Sequence, residues 1–292
     1  DIIDLDYGNP GLWDYQIETL KSWAEIVDGF RCDVAPLVPL DFWLRARREV
    51  ETVRPDCLWL AESVEPEFIR DNRNRGMVSH SDGELYQAFD LCYDYDIYGD
   101  FLSYVQGKTE LTDYVRALER QESIYPADYA KLRFLENHDR PRMAHLFPER
   151  RTRLNWLCWM FFQKGTALLY SGQEWENDHR PDLFDADPIP MEGPAPLEGL
   201  IRRLTALKKD PLFEIGAYSL RACPGDVLTA VWQERRENGK RLIGCFCLRG
   251  NPALVPVELS DGRYENLLKP GTFLRVESGL LSLDGNPAVL QS

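Results

Sequence analysis

Over about its first 210 residues, the chain alternates short apolar runs with segments of helical period, and this constrains its fold more than any other feature. A turn cluster at residues 6–10 precedes Leu12, Tyr15, Ile17, Leu20, Trp23 and Ile26, whose spacing predicts a helix near 11–26. The short run from Val27 to Ala35 reads as a buried strand, followed by a helix near 39–53. Cys57 to Ser63 reads as a second buried strand, set off by Pro55-Asp56. The pattern continues with a short strand near 90–95, a helix near 110–123 and a strand from Lys131 to Leu135. An apolar helix near 150–163, a strand from Ala167 to Tyr170, a Pro-rich loop at 181–196 and a helix near 197–209 complete it. Strands separated by helices imply an α/β fold with a parallel sheet.

From about residue 213 the pattern changes to short alternating runs broken by Gly, Pro, Asn and Asp, such as Val227–Trp232, Leu242–Phe246, Val255–Leu259 and Thr272–Val276. That pattern predicts an antiparallel β-sandwich. The expected domains are therefore 1–210 and 211–292, divided near Asp210-Pro211.

Three carboxylates stand where predicted parallel strands end. Asp33 closes the first strand, Glu62 closes the second 29 positions later, and Asp139 follows the strand at 131–135, directly after His138. Residues at the C-terminal strand ends of α/β barrels build active sites, and a charge directly after a buried apolar run is costly unless it is used or paired. Any one of them alone reads more readily as a helix cap or a surface ion pair; three at the same end of one sheet weigh against that. Glycosidic bond cleavage needs one carboxylate ionised and a second that holds a proton near neutral pH. Arg31, two residues before Asp33, shares its side of the strand and would keep that carboxylate charged. Glu62 follows Trp59, Leu60 and Ala61, apolar neighbours of the kind that raise a carboxyl pKa.

Other candidates carry less. His80, His145 and His179 have no motif around them and read as surface or structural residues. Tyr93, Tyr95 and Tyr98 suit either sugar stacking or packing around a strand. Glu174 reads as a supporting residue, and Arg142 is a candidate ion-pair partner of Asp139.

Composition narrows the partners. The formal net charge of -14 argues against nucleic acid or an anionic membrane surface, and no apolar stretch has the length of a membrane helix. A neutral ligand such as a sugar is compatible. The seven cysteines are scattered without C-x-x-C spacing and read as free, mostly buried thiols, which leans toward a reducing, cytoplasmic setting.

The motifs themselves are recognisable. Gly29-Phe30-Arg31-Cys32-Asp33-Val34-Ala35 resembles the strand-4 motif of the α-amylase family, glycoside hydrolase family 13. Leu60-Ala61-Glu62 resembles its strand-5 motif, Phe134 to Asp139 its strand-7 motif, and Gly165 to Tyr170 with Gly172 and Glu174 its strand-8 segment. The resemblance covers about residues 1–210, and the tail is similar to the β-sandwich that follows the barrel in that family. It implies a partial TIM (β/α)8 barrel and a retaining glycoside hydrolase acting on α-glucosidic bonds, with an α-glucan or maltooligosaccharide as substrate. It also implies roles: Asp33 as nucleophile, Glu62 as acid and then base, and Asp139 as binder of sugar hydroxyls that stabilises the transition state. Arg31 would orient Asp33, and His138 would contact the sugar.

The chain departs from the family pattern in one respect. About five strands are legible, matching strands four to eight, and the Asp…Asn-His motif of strand three is absent. The strand-4 motif continues with Pro36-Leu37-Val38 where calcium-linked members have Lys-His, so neither a metal nor a cofactor is expected. The favoured reading is the C-terminal part of a longer enzyme. The alternatives are a chain completed by a second polypeptide, a non-catalytic product with a carbohydrate-binding or assembly role, and a member that transfers glucosyl units. These 292 residues alone are expected to have little or no glycosidase activity.

Overall fold

The computed structural model describes residues 5–236 and 238–292. The first four residues of the expected 1–210 segment lie outside these. The chain forms two compact units, Asp1–Leu102 with Arg120–Leu132, and Ser103–Glu119 with Arg133–Ser292. In chain order the elements are α1 (Pro10–Ala24), β1 (Gly29–Cys32), α2 (Leu40–Val50), β2 (Leu58–Ala61), α3 (Pro66–Asn74), α4 (Asp82–Leu85) and β3 (Leu91–Tyr93). Then follow α5 (Tyr98–Val105), α6 (Leu111–Ile124), β4 (Ala130–Arg133), α7 (Met143–Leu146), α8 (Arg150–Phe162), β5 (Thr166–Ala167), α9 (Glu198–Lys208) and α10 (Leu212–Ile215). The five strands form one parallel sheet in the order β1-β2-β3-β4-β5, the partial-barrel architecture expected.

Local chemistry starts and stops these elements. α1 begins where Asn9 Oδ1 accepts from the Gly11 N–H, with Pro10 at the first helical position. Ser81 and Glu84 form a capping box at the start of α4. Gly29 begins β1 because a Cβ there would lie 2.5 Å from the Leu58 carbonyl oxygen. β1 and β2 pair in parallel with Arg31 beside Leu60 and Cys32 beside Ala61. Alternation then places Phe30 and Trp59 on the face where Phe42, Trp43 and Phe89 pack edge to face.

The fifth strand is shorter than the predicted Ala167–Tyr170. It covers Thr166–Ala167, and the Leu168 N–H continues the ladder to the Arg133 oxygen at 2.8 Å. Pairing stops there because the Tyr170 N–H turns to Gln173 Oε1, and Gly172 adopts a φ of 88°.

In the second unit the tail forms two four-stranded antiparallel sheets. One contains β6 (Ala217–Cys223), β7 (Val227–Gln233), β8 (Arg241–Cys247) and β13 (Ala288–Gln291). The other contains β9 (Ala253–Pro256), β10 (Gly262–Glu265), β11 (Phe273–Glu277) and β12 (Leu280–Leu283). The buried helix α8 fastens them. Asn155 bonds to the Cys247 N–H and the Gly285 oxygen, and the Trp232 indole donates to the Phe162 oxygen at 2.9 Å. All seven cysteines are free and buried. No described helix is long and apolar enough to cross a membrane.

Candidate active site

The first unit carries Asp33 and Glu62. The parallel register fixes their surroundings: the Glu62 N–H donates to the Cys32 oxygen at 3.0 Å, so the segments beyond β1 and β2 stay side by side. Arg31, Asp33 and Glu62 fall on one side by alternation. The Arg31 guanidinium contacts Asp33 through one terminal nitrogen and Glu62 Oε1, at 2.6 Å, through the other. It also lies over the Tyr93 ring, 5.7 Å from its centroid.

The two carboxylates differ in environment. The Asp33 side chain is 74% exposed, whereas Glu62 is buried. Burial pushes the Glu62 pKa up, the nearby Asp33 charge adds to that, and the Val34 N–H and Arg31 work against it. The alternation that aligns Glu62 also turns Trp59 and Ala61 to the opposite face, so two of the three sequence neighbours expected to desolvate it face away, and Leu60 alone shares its side. Val34 N–H reaches Glu62 Oε2 at 2.8 Å, which requires Val34 to adopt φ 42°, ψ 42°. A β-branched residue in the left-handed region is strained. Pro36 then opens a single turn of 3-10 helix, Ala35–Leu37.

The second unit carries the segment after β4. The Asp139 N–H donates to Asn137 Oδ1 at 2.9 Å, and His138 Nε2 lies 3.2 Å from Asp139 Oδ2. Arg180 donates to the Asp139 backbone oxygen at 3.0 Å. Arg142 pairs with Glu136 Oε1 at 2.7 Å instead of the anticipated Asp139. The Arg142 guanidinium is fully buried and Glu136 is the buried carboxylate, while the Asp139 side chain is 39% exposed. Arg142 also donates to the oxygens of Ser171 and His179 and covers the Tyr170 ring. Burial pushes the Glu136 pKa up, with the Glu174 charge in the same direction, while the Met143 N–H and Arg142 oppose.

The remaining candidates resolve simply. Tyr93, Tyr95 and Tyr98 are buried and pack on one another. His80 Nε2 accepts from the Leu40 N–H at the start of α2, and His179 pairs with Asp187 at 2.8 Å. Three contacts had no signal in the sequence: the second partner of Arg31, the Val34 N–H on Glu62, and Arg180 on Asp139. Each depends on a turn or a cross-strand neighbour that periodicity does not encode.

The description "Alpha amylase, catalytic domain" matches residues 1–186, and "Bacterial Alpha amylase C-terminal domain" matches residues 220–290. The chain belongs to the α-amylase family. A crystal structure of an α-amylase from Lactobacillus plantarum superposes with a TM-score of 0.95 at 43% identity, covering 100% of this chain and 68% of that one. The maltogenic α-amylase AmyB from Thermotoga neapolitana gives a TM-score of 0.81 at 30% identity with the same coverage. The α-amylase MalA of Haloarcula japonica is 29% identical over 169 residues, 57% of this chain and 23% of that protein's length. α-Amylase membership, glycoside hydrolase family 13, thus agrees with both the parallel sheet and the antiparallel tail.

Proposed function

We propose that this chain carries the catalytic carboxylates of a retaining glycosidase that acts on α-glucosidic bonds of starch-like oligo- or polysaccharides. Asp33 is the nucleophile and Glu62 the acid, then the base. The observation that supports this most directly is one guanidinium, Arg31, shared by an exposed Asp33 and a buried Glu62 whose pKa is raised. Two carboxylates held by one arginine fit the close spacing of retaining pairs, about 5–5.5 Å, better than the wider inverting one.

The chemistry follows from the charges. An Asp33 oxygen bonds to the anomeric carbon as the bond to the leaving oxygen breaks, and Glu62 gives its proton to that oxygen. Esterified Asp33 no longer carries charge, so its repulsion of Glu62 ends and Arg31 has Glu62 as its remaining anionic partner. Both changes favour ionised Glu62, which then takes a proton from water as the water oxygen displaces Asp33. Asp139 would bind sugar hydroxyls and stabilise the transition state, and His138 would contact the sugar. These two roles rest on their place in the motif after β4.

Trapping tests the proposal. Long incubation with an activated 5-fluoro α-glucosyl donor should add one glycosyl unit to the peptide that contains Asp33, and Asp33→Asn should abolish it. The first product of an activated maltooligosaccharide, followed by NMR, should have the α configuration. A β product, or label on another residue, would sink the assignment.

A further inference from the structure

Arg31 meets two carboxylates at once, and a long side chain with many rotamers keeps such a posture only when something else fixes it. Tyr93, the last residue of β3, is placed to do so. In the parallel register Arg31 lies beside Leu60 and Leu60 beside Leu91, so alternation brings Tyr93 to the side that carries Arg31, Asp33 and Glu62. Its ring is within cation–π reach of the guanidinium, whose carbon lies 5.7 Å from the ring centroid. Burial lowers the Arg31 pKa, but Glu62, a hydrogen bond with the Tyr93 side chain and Asp33 together outweigh it. Tyr93 is thus the uncharged partner of a guanidinium whose other partners are both carboxylates.

Tyr93 is itself held firmly. It is buried and stacks on Tyr95, with centroids 5.6 Å apart and ring planes 12° apart, and Tyr98 meets Tyr95 edge-on at 6.1 Å. Its backbone oxygen accepts from the Ser63 hydroxyl at 2.8 Å and from Lys131 Nζ at 3.4 Å. Ser63 is fully buried and directly follows Glu62. The ladder between β2 and β3 ends with Ala61 beside Cys92. The Ser63 hydroxyl therefore continues the tie between the two strands past the ladder, where Glu62 and Tyr93 stand.

We propose that Tyr93 is a positioning residue, whose ring and hydroxyl hold the Arg31 guanidinium in the posture that meets Asp33 and Glu62 together, with Ser63 locking Tyr93 to the segment that carries Glu62. This deepens the glycosidase reading above and rests on it for the roles of the two carboxylates. Tyr93 acts through Arg31 and not on the sugar. Without it the partly exposed arginine is free to leave the carboxylates, and the charge that stands between them is less constantly in place.

The test uses the purified chain and NMR. In Tyr93→Phe the Arg31 guanidinium N–H groups should exchange with water about fivefold faster, the change to which a hydrogen bond of about 1 kcal/mol corresponds. The Glu62 carboxyl carbon should titrate at higher pH, because the Arg31 charge that opposes its protonation is held less constantly. Tyr93→Leu, which removes the aromatic face as well, should move both further. Ser63→Ala should move both in the same direction with Tyr93 intact. When Arg31 is already replaced by Gln, Tyr93→Phe should add nothing to the Glu62 titration, a coupling that lost packing alone would not produce. Unchanged exchange and titration in Tyr93→Phe and Tyr93→Leu would overturn the proposal, as would a Glu62 shift of equal size with and without Arg31. Labelling by the 5-fluoro donor separates the two readings. Asp33 labelled in the unaltered chain and equally fast in Tyr93→Phe would overturn the positioning role alone. No label on Asp33 in any form would count against the glycosidase reading, while the NMR changes still decide whether Tyr93 holds Arg31.

Discussion

The backbone of Val34 ties the two carboxylates of the first unit together. It follows Asp33 directly, and its N–H is the donor on Glu62 Oε2. Reaching that position holds a β-branched residue at a φ of 42°, a conformation that costs about 1–3 kcal/mol. Val34→Gly should remove the strain while adding about 0.5–1 kcal/mol of backbone entropy cost. The expected outcome is stability unchanged or raised by up to about 2 kcal/mol, measured by urea denaturation. Glu62 should respond in the opposite sense. A looser loop donates less constantly, so one of the influences that lowers its pKa weakens and the pKa rises further above the ordinary carboxyl value. NMR titration of the Glu62 carboxyl carbon reads that shift without requiring turnover. For a general acid the sign is definite: proton donation is lost as pH rises through the Glu62 pKa, so the alkaline limb of activity should move up with it. A Val34→Gly variant destabilised by more than about 1 kcal/mol would show that the left-handed turn is not strained here.

At the scale of elements, Lys131 on β4 shows how the sheet is joined to its helices. It is fully buried and pairs with Asp82 at the start of α4 and with Asp96, at 2.7 Å, after β3. Burial raises the Asp82 pKa to about 6. Burial acts the same way on Asp96, but Lys131, Gln121 and Tyr125 outweigh it and hold that pKa low. Removing one member of such a cluster strands the others, at a cost of about 3–5 kcal/mol. Lys131→Met should therefore be strongly destabilised at pH 7. Both carboxyls would then have raised pKa values, and a raised carboxyl contributes stability at low pH that is lost as pH rises through it. The deficit should shrink at pH 5, and denaturation curves at both pH values check this; an equal deficit at both would contradict the stranded-carboxylate account. None of this cluster was legible in the sequence. Lys131 reads as the first residue of an apolar strand, and its partners are 49 and 35 positions away. What was legible was whatever has a period or a motif: α1, α2, α6, α8, the strands at β1, β2 and β4, and the three carboxylates after them. α4, four residues long, shows no helical period and was not read from the sequence. The pairing of Arg142 with Glu136 was misassigned to Asp139 because proximity in sequence does not report burial.

For the whole molecule, the arrangement of strands sets a limit on what these 292 residues can do alone. Among the described residues β1 pairs with β2 on one side, and its other edge has no strand. That edge strand leads directly into Asp33. Beside it lies an apolar groove of about 310 Å³ lined by Tyr7, Tyr15, Leu20, Phe30, Phe42 and Trp43. Tyr15, Trp23 and Ile26 are exposed on and just past α1. Unpaired backbone beside exposed apolar surface favours strand addition and association. It also leaves the backbone that carries Asp33, the proposed nucleophile, supported from one side only, and small misplacements of reacting groups are costly. Losing about 4 kcal/mol of transition-state stabilisation lowers a rate roughly a thousandfold. The prediction is that the purified chain associates as its concentration rises, seen by light scattering after size exclusion. Its activity on soluble starch should be about a thousandfold or more below that of the Lactobacillus plantarum α-amylase assayed beside it, with Asp33→Asn as the blank. Activity within tenfold of that relative, abolished by Asp33→Asn, in a chain that stays monomeric would show that five strands hold Asp33 and Glu62 as firmly as a closed sheet, and that the free edge of β1 carries no penalty.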